Sequence, residues 1–328
     1  MCEIHFVKRF DGKLQFKEIG EFDKILSEGS LSNPDGWGIF SKSTFAKGIE
    51  LYQSNQKILL PLMQDEWVIG HNRFATSENV FSYLDYFKDK EIMNAHPFEL
   101  NNLILVHNGI IHNDIYLREK YKIRSKISTD SYTILWMINH FMNSSKSKDR
   151  SSRLVQGIKL ALEEIKGTFS IFLYDKISND LYYFKDDFTQ FTFKIVRNTL
   201  YGTTKESIAN SIYLSKFKEK IIPIPYKIYK IQNIISSPLK IVGTINHKVQ
   251  FTYPSKAPKL NDPLFNYWGN YLNNNNILVS ILALLFIPIA ILLGGVIIIL
   301  GQLLKWIIPK NKNKRKNNNQ KMKGGKDK

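Results

Sequence analysis

A run of 32 nearly continuous apolar residues, 277–308, places the strongest constraint on what this chain can fold into. Lys305 is its only charged residue. A bilayer core about 30 Å thick needs roughly 20 helical residues, so the run is long enough for one tilted or kinked span and too short for two spans with a turn. The pattern predicts one transmembrane helix, and its length disfavours the alternative of a buried core helix.

Composition divides the chain around this run. Residues 1–253 alternate between strand-like and helix-like patterns, whereas 254–276 contain several prolines and a run of asparagines. The last twenty residues, 309–328, hold nine Lys and Arg against one Asp, as is typical of a disordered tail. We therefore predict a globular domain over 1–253, a linker over 254–276, a transmembrane anchor over 277–308 and a basic tail over 309–328.

Charge and cysteine content narrow the possible partners and compartment. The formal net charge is +17, and about half of this excess lies in the tail, so we expect no specific nucleic-acid partner. We expect the apolar helix and the basic tail to contact membrane lipid. The single cysteine, Cys2, excludes an internal disulfide framework and favours a reduced compartment. Because the N-terminal residues form no signal-peptide pattern, a cytoplasmic domain is expected.

Apolar periodicity within 1–253 predicts an α+β domain. Four apolar runs have strand length: 67–69, 103–106, 169–174 and 181–184. Two stretches have helical spacing of their apolar residues: one begins near 128–130, and the other runs from Leu154 to Ile165 and stops at Gly167. The combination favours sheets covered by helices, although periodicity leaves the topology open.

Cys2 is the first candidate for chemistry. If Met1 is removed, Cys2 carries both a thiol and a free α-amine, and an amine with a pKa of roughly 7.7 is able to take the thiol proton near neutral pH. The alternative is that position 2 simply holds a small residue that permits methionine excision. Taken alone, these two residues favour the alternative.

Further polar motifs occur at turns and strand ends. Residues 33–38, Asn-Pro-Asp-Gly-Trp-Gly, have the composition of a tight turn, and a plain surface turn is the simpler interpretation. Arg73 follows an apolar strand, where it is suited to bind a carboxylate through two parallel hydrogen bonds, although a surface salt bridge is more common. His96 precedes Pro97, which restrains the backbone of the histidine.

Asn108 and Gly109 interrupt an otherwise apolar stretch, 103–111. The Asn108 side-chain amide and the Gly109 backbone N–H are suitable donors to an oxyanion, and glycine permits close approach of a substrate. Asn-Gly is also the strongest short signal for a type I′ hairpin turn, which the local sequence favours. Asp130 similarly suits either a helix N-cap or a site for an ammonium group.

Histidines raise the separate question of a metal site. Four candidates are present: His71, His96, His107 and His112. They have no helical His-x-x-x-His spacing and no cysteine partner beside them, so we expect neither a metal nor another cofactor.

The order of these motifs is more specific than any one of them. Met-Cys is followed by Asn-Pro-Asp-Gly-Trp-Gly, Gly-His-Asn-Arg-Phe-Ala-Thr, Asn-Ala-His-Pro-Phe, Val-His-Asn-Gly and Thr-Asp-Ser. This succession resembles the class II glutamine amidotransferases, a branch of the N-terminal nucleophile hydrolases, over roughly residues 2–231. In character it is most similar to the stand-alone type that includes the γ-glutamyl hydrolase of ergothioneine synthesis.

The resemblance implies a fold and a reaction. The fold is a four-layer αββα sandwich of two antiparallel sheets between helices. Cys2, freed of Met1, would attack the side-chain amide of glutamine with its own α-amine as base, and water would hydrolyse the resulting γ-glutamyl thioester. Asn108 and Gly109 would form the oxyanion hole. The remaining carried-over residues bind substrate: Arg73 the α-carboxylate and Asp130 the α-ammonium group, with Thr76 and His96 from the neighbouring motifs.

Two positions depart from the common pattern of the family. Glu3 replaces the glycine that many members have after the cysteine, and the stand-alone type often has Glu there. Tyr132 stands where an acid usually follows Thr-Asp-Ser. No synthetase, isomerase or nucleotide-binding pattern occurs in the remaining residues, so any ammonia acceptor is expected on another chain.

Two rival functions and one conflict of orientation follow. The chain is alternatively a hydrolase of a γ-glutamyl conjugate other than glutamine, or an inactive membrane-tethered scaffold.

Methionine removal favours a cytoplasmic domain, while the positive-inside rule also directs the basic tail to the cytoplasm, and one span cannot satisfy both. A tail anchor with a translocated tail, or a re-entrant hairpin near Gly294 and Gly295, would keep the domain inside.

Overall fold

A computed structural model of the protein describes residues 2–74, 92–207 and 220–246. These residues belong to one compact unit, Met1–Phe251. No helix in these three ranges is long and apolar enough to cross a membrane. The predicted linker, transmembrane anchor and basic tail lie outside the described residues and stay predictions.

The first sheet contains six antiparallel strands in the spatial order β3-β2-β4-β1-β10-β9. Its strands are β1 (Glu3–Arg9), β2 (Trp37–Phe40), β3 (Phe45–Gly48), β4 (Trp67–Asn72), β9 (Thr192–Val196) and β10 (Thr199–Thr203). The N-terminal strand β1 therefore lies in the interior of the sheet, where β4 and β10 flank it.

The second sheet also has six antiparallel strands, in the order β12-β11-β8-β7-β6-β5. Its strands are β5 (Phe98–Leu100), β6 (Leu103–Ile111), β7 (Gly167–Asp175), β8 (Asp180–Lys185), β11 (Lys227–Ile231) and β12 (Leu239–Thr244). All four strands that apolar runs predict are present as β4, β6, β7 and β8, each extended beyond its apolar run.

Helices cover the outer faces of both sheets. The first sheet is covered by α1 (Phe16–Ser32), and a short helix α2 (Gln56–Leu59) and 3₁₀ turns at Leu60–Gln64 and Ile92–Asn94 connect strands. The helices near the second sheet are α3 (Asp114–Lys120), α4 (Asp130–Ser144) and α5 (Arg150–Glu164). The two predicted helices are confirmed as α4 and α5, and Gly167 begins β7 beyond the end of α5.

Three apolar clusters separate the four layers. One joins α1 to the first sheet and another joins α4 and α5 to the second sheet. The third lies between the sheets, where Phe6, Phe172 and Phe193 make edge or tilted ring contacts with centroids 5.1 to 6.2 Å apart. The predicted αββα sandwich is therefore confirmed for the described residues.

Side-chain alternation along β1 assigns its residues to the two faces of the first sheet. Ile4 and Phe6 pack between the sheets, whereas Val7 packs toward α1. Because successive side chains of a strand point to opposite faces, Cys2 shares the inter-sheet side with Ile4, and Glu3 lies on the α1 side.

The hairpin turn that Asn108 and Gly109 favour locally is wrong. Both residues lie inside β6, which pairs without interruption with β7 from Leu103 opposite Asp175 to Ile111 opposite Gly167. Gly109 has a φ of +157°, and a Cβ there would lie 2.0 Å from the Thr168 carbonyl oxygen. Glycine is required here because the partner strand approaches so closely, and the long pairing partner β7 overrides the local turn signal.

Candidate active site

The strand register places Cys2 and Arg73 at the same end of two adjacent strands, β1 and β4, of the first sheet. Glu3 pairs with Asn72 in the antiparallel β1–β4 ladder, so the residue before β1 and the residue after β4 are neighbours. The Phe74 backbone N–H donates to Cys2 Sγ at 3.4 Å, and the thiol lies 3.5 Å from the Phe74 carbonyl oxygen. The Phe74 backbone, directly after Arg73, therefore holds the thiol in place.

The environment of Cys2 disfavours its thiolate. Burial raises the pKa of the Cys2 thiol, and the negative charge of Asp130 adds to that effect. The hydrogen bond from Phe74 and the positive charge of Arg73 lower the pKa without offsetting the effect of burial. Both charged side chains are thus close enough to act on the thiol, and the thiol needs a base to become a nucleophile.

Arg73 is buried and its backbone is held by the 33–38 motif. Arg73 N–H donates to the Gly36 carbonyl at 2.8 Å, and Asp35 N–H donates to the Arg73 carbonyl at 3.1 Å. Gly36 has a φ of +144°, and a Cβ there would lie 2.8 Å from the Gly48 carbonyl oxygen. The motif is a partly buried support for Arg73, and the interpretation as a plain surface turn is wrong.

A direct hydrogen bond connects the two sheets next to the Asn-Gly pair. His71 Nε2 lies 3.2 Å from the His107 carbonyl oxygen, so Nε2 carries the proton and donates. His71 belongs to β4, two residues before Arg73, and His107 precedes Asn108 in β6. This bond holds β4, the strand that leads to Arg73, against β6 at the residue before Asn108.

Asn108 faces the space between the sheets. It shares the face of β6 with Ile104 and Val106, which belong to the inter-sheet cluster. Its side chain is 3% exposed, and its Oδ1 has no hydrogen-bond partner among the described residues. A buried amide oxygen without a hydrogen-bond donor is costly for folding, so a ligand group that donates to Oδ1 would supply the missing partner.

Asp130 is the first residue of α4 and is attached to the end of β6. Its Oδ2 accepts from the Ile111 backbone N–H at 2.7 Å, and its Oδ1 accepts from the Ser131 backbone N–H at 2.7 Å. Thr129 occupies the N-cap position without a side-chain capping bond. The bond to Ile111 thus attaches the carboxylate to β6, the strand that contains Asn108 and Gly109.

His96 packs against His71 with the two rings tilted by 35°. Their ring centroids are 4.0 Å apart, and both rings are buried. Burial lowers the pKa of His71 to about 3 and places the pKa of His96 well below its usual range. Both imidazoles are therefore neutral near pH 7. Neither nitrogen of His96 has a hydrogen-bond partner within the described part of the chain.

Lys47 holds the loop that carries His96. Its Nζ donates to the carbonyl oxygens of Ala95 at 2.8 Å and of Pro97 at 3.2 Å, on either side of the histidine. Burial lowers the pKa of Lys47 to about 8. No sequence motif indicates this lysine, because its role depends on β3 lying beside the loop.

The other candidates are placed differently. Tyr132 packs on Phe98 with ring centroids 6.2 Å apart, at the margin of the cluster below the second sheet. Thr76 and Met1 lie outside the described residues. Within the three described ranges, no group of three or more His, Cys, Asp and Glu side chains is arranged to hold a metal ion.

Glu3 lies on the opposite face of β1 from Cys2 and ties the strand to Ser32 and Lys205. Its carboxylate accepts from Lys205 Nζ at 2.8 Å and from Ser32 Oγ at 3.0 Å, and His5 Nε2 lies 3.6 Å away. Burial alone would raise the pKa of Glu3, but the interactions with His5 and Lys205 bring it down to about 2. The alternation of side chains along β1 places Glu3 on the α1 side of the sheet. The Met-Cys motif at the start of the sequence does not indicate this structural role.

We expect Glu3→Gln to destabilise the domain by about 2 to 3 kcal/mol at pH 7, as a lowered carboxyl pKa with a partly exposed lysine partner implies. The contribution of Glu3 is complete above its unfolded-state pKa of roughly 4.3 and is lost as the pH falls through the folded-state pKa of about 2. Urea unfolding at pH 7, 4.5 and 3 measures this. The Glu3→Gln protein should lose less stability between pH 4.5 and 3 than the wild type does.

Glu99→Gln is the matched control, because Glu99 forms an exposed ion pair with Lys176 at 2.8 Å. It should change the free energy of unfolding by less than about 1 kcal/mol. Equal acid sensitivity of the wild type and Glu3→Gln would contradict the assigned role of Glu3.

Comparisons with known proteins show which domains this chain resembles. A family model described as a glutamine amidotransferase domain matches residues 87–207, which include His96, Asn108, Gly109 and Asp130. The 7-cyano-7-deazaguanine synthase of Saccharolobus solfataricus is 26% identical over 261 residues, which are 77% of this chain and 50% of that protein. The glutamine–fructose-6-phosphate aminotransferase (isomerizing) of Bacillus subtilis strain 168 is 32% identical over 111 residues, which are 33% of this chain and 16% of that protein.

A solved structure has the same fold. The glutamine phosphoribosylpyrophosphate amidotransferase from B. subtilis, complexed with ADP and GMP, superimposes with a TM-score of 0.52 at 15% identity and covers 73% of this chain and 48% of its own. The chain thus spans half or less of the length of each of these relatives. Residues 87–207 thus match a glutamine amidotransferase domain, and the described residues share the fold of the solved amidotransferase.

Proposed function

We propose that this domain hydrolyses the side-chain amide of glutamine through a γ-glutamyl thioester on Cys2 and releases ammonia. One observation carries the proposal. The β1–β4 register sets the Cys2 thiol beside Arg73, and the His71–His107 hydrogen bond sets Asn108 of the facing sheet opposite that strand end. This arrangement supports a site in which the Cys2 thiol, the Arg73 guanidinium and the Asn108 side-chain amide act on one substrate.

The reaction begins with cleavage of the Met1–Cys2 peptide bond, which frees the α-amine of Cys2. The amine takes the Sγ proton, which is necessary because burial raises the pKa of the thiol. The thiolate attacks the amide carbon and forms a C–S bond. The Asn108 side-chain N–H and the Gly109 backbone N–H donate to the oxyanion.

Collapse of the tetrahedral intermediate breaks the C–N bond, and the protonated α-amine of Cys2 returns its proton to the leaving ammonia. Water then attacks the γ-glutamyl thioester and releases glutamate. The two ends of the substrate are held by opposite charges, with Arg73 on the α-carboxylate and Asp130 on the α-ammonium group. Thr76 and the neutral His96 complete the set of substrate contacts.

Labelling with a glutamine-analogue electrophile, followed by N-terminal mass analysis, tests the proposal. We expect one adduct on an N-terminal Cys2 and no adduct in Cys2→Ala. Labelling at another residue, or no labelling of a protein whose Met1 is verifiably removed, would overturn the proposed mechanism. Excess glutamine should slow the labelling, because both compounds occupy the same site.

Substrates with different leaving groups distinguish a glutamine hydrolase from a hydrolase of larger γ-glutamyl conjugates. We propose glutamine as the substrate and a separate chain as the ammonia acceptor. Glutamate release from glutamine should exceed release from γ-glutamyl amides of larger amines. The reverse order would favour the stand-alone γ-glutamyl hydrolase type, and release from none of them would favour a scaffold that has lost activity.

We further propose that residues 277–308 anchor this domain in a membrane with the domain on the cytoplasmic side. The run exceeds the roughly 20 residues that one span needs. The full chain should stay in membranes washed with alkaline carbonate. Leu285→Lys combined with Leu292→Lys should release it, since each buried lysine costs roughly 3 kcal/mol of insertion free energy. Release of the wild-type chain by carbonate would overturn the anchor, and protease digestion of the domain in intact cells would overturn the orientation.

A further inference from the structure

Arg118, in the last turn of α3, binds the backbone that leads into Asp130. Its Nη1 donates to the Ile127 carbonyl at 3.0 Å, and its Nη2 donates to the Thr129 carbonyl at 2.7 Å. Its Nε donates to the Asp114 carboxylate at 3.0 and 3.1 Å. One guanidinium group therefore connects an acid on its own helix to two carbonyl groups of the segment between α3 and α4.

The segment is also held from its other side. Ser128 N–H donates to Asn94 Oδ1 at 2.9 Å, and Asn94 lies two residues before His96. Three consecutive residues, 127–129, thus each have one backbone group bound by a side chain from outside the segment. By contrast, the preceding residues 124–126 are exposed. Besides these bonds, the Ile127 backbone N–H donates to Ser125 Oγ at 3.0 Å, the Tyr132 N–H donates to the Thr129 carbonyl at 3.1 Å, and the Ile127 side chain packs against the cluster next to the second sheet.

The position of Asp130 depends on this attachment. Its carboxylate joins the first turn of α4 to β6, because Oδ1 accepts from Ser131 N–H and Oδ2 accepts from Ile111 N–H. A displacement of Thr129 would move the carboxylate relative to Asn108 and Gly109, which belong to the same strand as Ile111. The distance between the oxyanion site and the ammonium site is set in this way.

The positive charge of Arg118 is balanced by the Asp114 carboxylate. An isolated guanidinium near Asp130 would repel a substrate ammonium group, but the Asp114 carboxylate lies against the Nε side of Arg118. Arg118 therefore affects Asp130 by holding the preceding backbone with its planar set of donors, and not by its charge. A lysine has one ammonium group and lacks the planar fork that binds both carbonyl groups and Asp114 together.

We propose that Arg118 is a positioning residue that determines the affinity for the α-ammonium group of the substrate by holding the backbone immediately before Asp130. This inference rests on the proposed glutamine hydrolysis and assigns a function to a residue that touches neither the substrate nor the thiol. Arg118 would therefore affect binding of the α-ammonium group of the substrate and not cleavage of its side-chain amide.

The test compares Arg118→Lys with the wild type. We expect KM for L-glutamine to rise about tenfold while kcat stays within about twofold, because ground-state and transition-state binding of the ammonium group weaken together. Inhibition by L-glutamate, which has the α-ammonium group, should weaken by a similar factor. Inhibition by glutarate, which lacks that group, should be unchanged.

Arg124→Lys is the matched control, because Arg124 lies in the same segment, is exposed and makes no hydrogen bond or ion pair among the described residues. It should leave KM and kcat unchanged. Asp114→Asn is the second variant, and it should raise KM for L-glutamine because it leaves the Arg118 charge unbalanced and its guanidinium unsupported. Thermal melting of each protein verifies the fold, and Asp114→Asn decides the question if Arg118→Lys does not fold.

Two results would overturn the positioning role. One is an unchanged KM in a folded Arg118→Lys protein. The other is a loss of kcat, or an equal weakening of inhibition by L-glutamate and by glutarate, which would indicate general disturbance of the site. A wild-type protein that releases no glutamate from glutamine would instead overturn the proposed function itself.

Discussion

Cys2→Ala will reduce glutamine hydrolysis by about 10⁴-fold or more, because it removes the nucleophile that attacks the amide in the proposed reaction. The fold should persist, since the side chain contributes only weak sulfur hydrogen bonds to Phe74. Steady-state release of glutamate and ammonia from L-glutamine measures the loss. Cys2→Ser should retain the fold and a trace of activity at most, since a hydroxyl is a weaker nucleophile than a thiolate.

The processing state of the N-terminus provides the control for this result. Wild-type protein that keeps Met1 should be as inactive as Cys2→Ala, because its Cys2 nitrogen is a peptide amide and cannot accept a proton. Mass analysis of the N-terminus therefore accompanies each assay. Substantial glutamine hydrolysis by Cys2→Ala, or by protein that retains Met1, would contradict the assignment of Cys2 as a nucleophile with its own base.

Asn108→Ala will lower kcat by about 10² to 10³-fold with little change in KM, as the loss of one oxyanion donor does in other amide-cleaving enzymes. The effect falls on kcat because the donor acts mainly on charge that develops in the transition state. Rates over a range of glutamine concentrations separate the two parameters. The variant should still react with the electrophile at Cys2, although more slowly.

Asn102→Ala is the matched control, because Asn102 is exposed and lies next to β6. It should leave both kinetic parameters within about twofold, as expected of a surface change that touches no substrate. A kcat for Asn108→Ala within tenfold of the wild type would remove Asn108 from the oxyanion hole. A rise in KM alone would reassign it to substrate binding.

Much of the fold is predictable because the elements have clear apolar patterns. The runs at 103–106 and 169–174 lie in the two central strands of the second sheet, whose two faces are both buried, and such strands have nearly continuous apolar sequence. The helices α4 and α5 follow from apolar residues at helical spacing. By contrast, strands such as β2 and β3 have four residues each, too few for periodicity to identify them.

The local signals failed where tertiary contacts override them. Asn-Gly at 108–109 is a strong turn signal, but pairing with nine residues of β7 keeps the segment extended. The 33–38 motif has the composition of a surface turn, but its carbonyl and amide groups bind the backbone of Arg73. In both cases the partner is distant in sequence, so no local pattern contains it.

The sequence by itself determined the chemical groups and their order along the chain: a cysteine at position 2, an arginine after an apolar strand, an Asn-Gly pair and an acid at a helix start. Only the tertiary structure decided that they converge. The antiparallel register of β1 with β4 makes Cys2 and Arg73 neighbours, and the His71 bond to β6 brings in Asn108. Arg118 became apparent in the same way, because its partners are identified by contacts between folded segments and not by a spacing in the sequence.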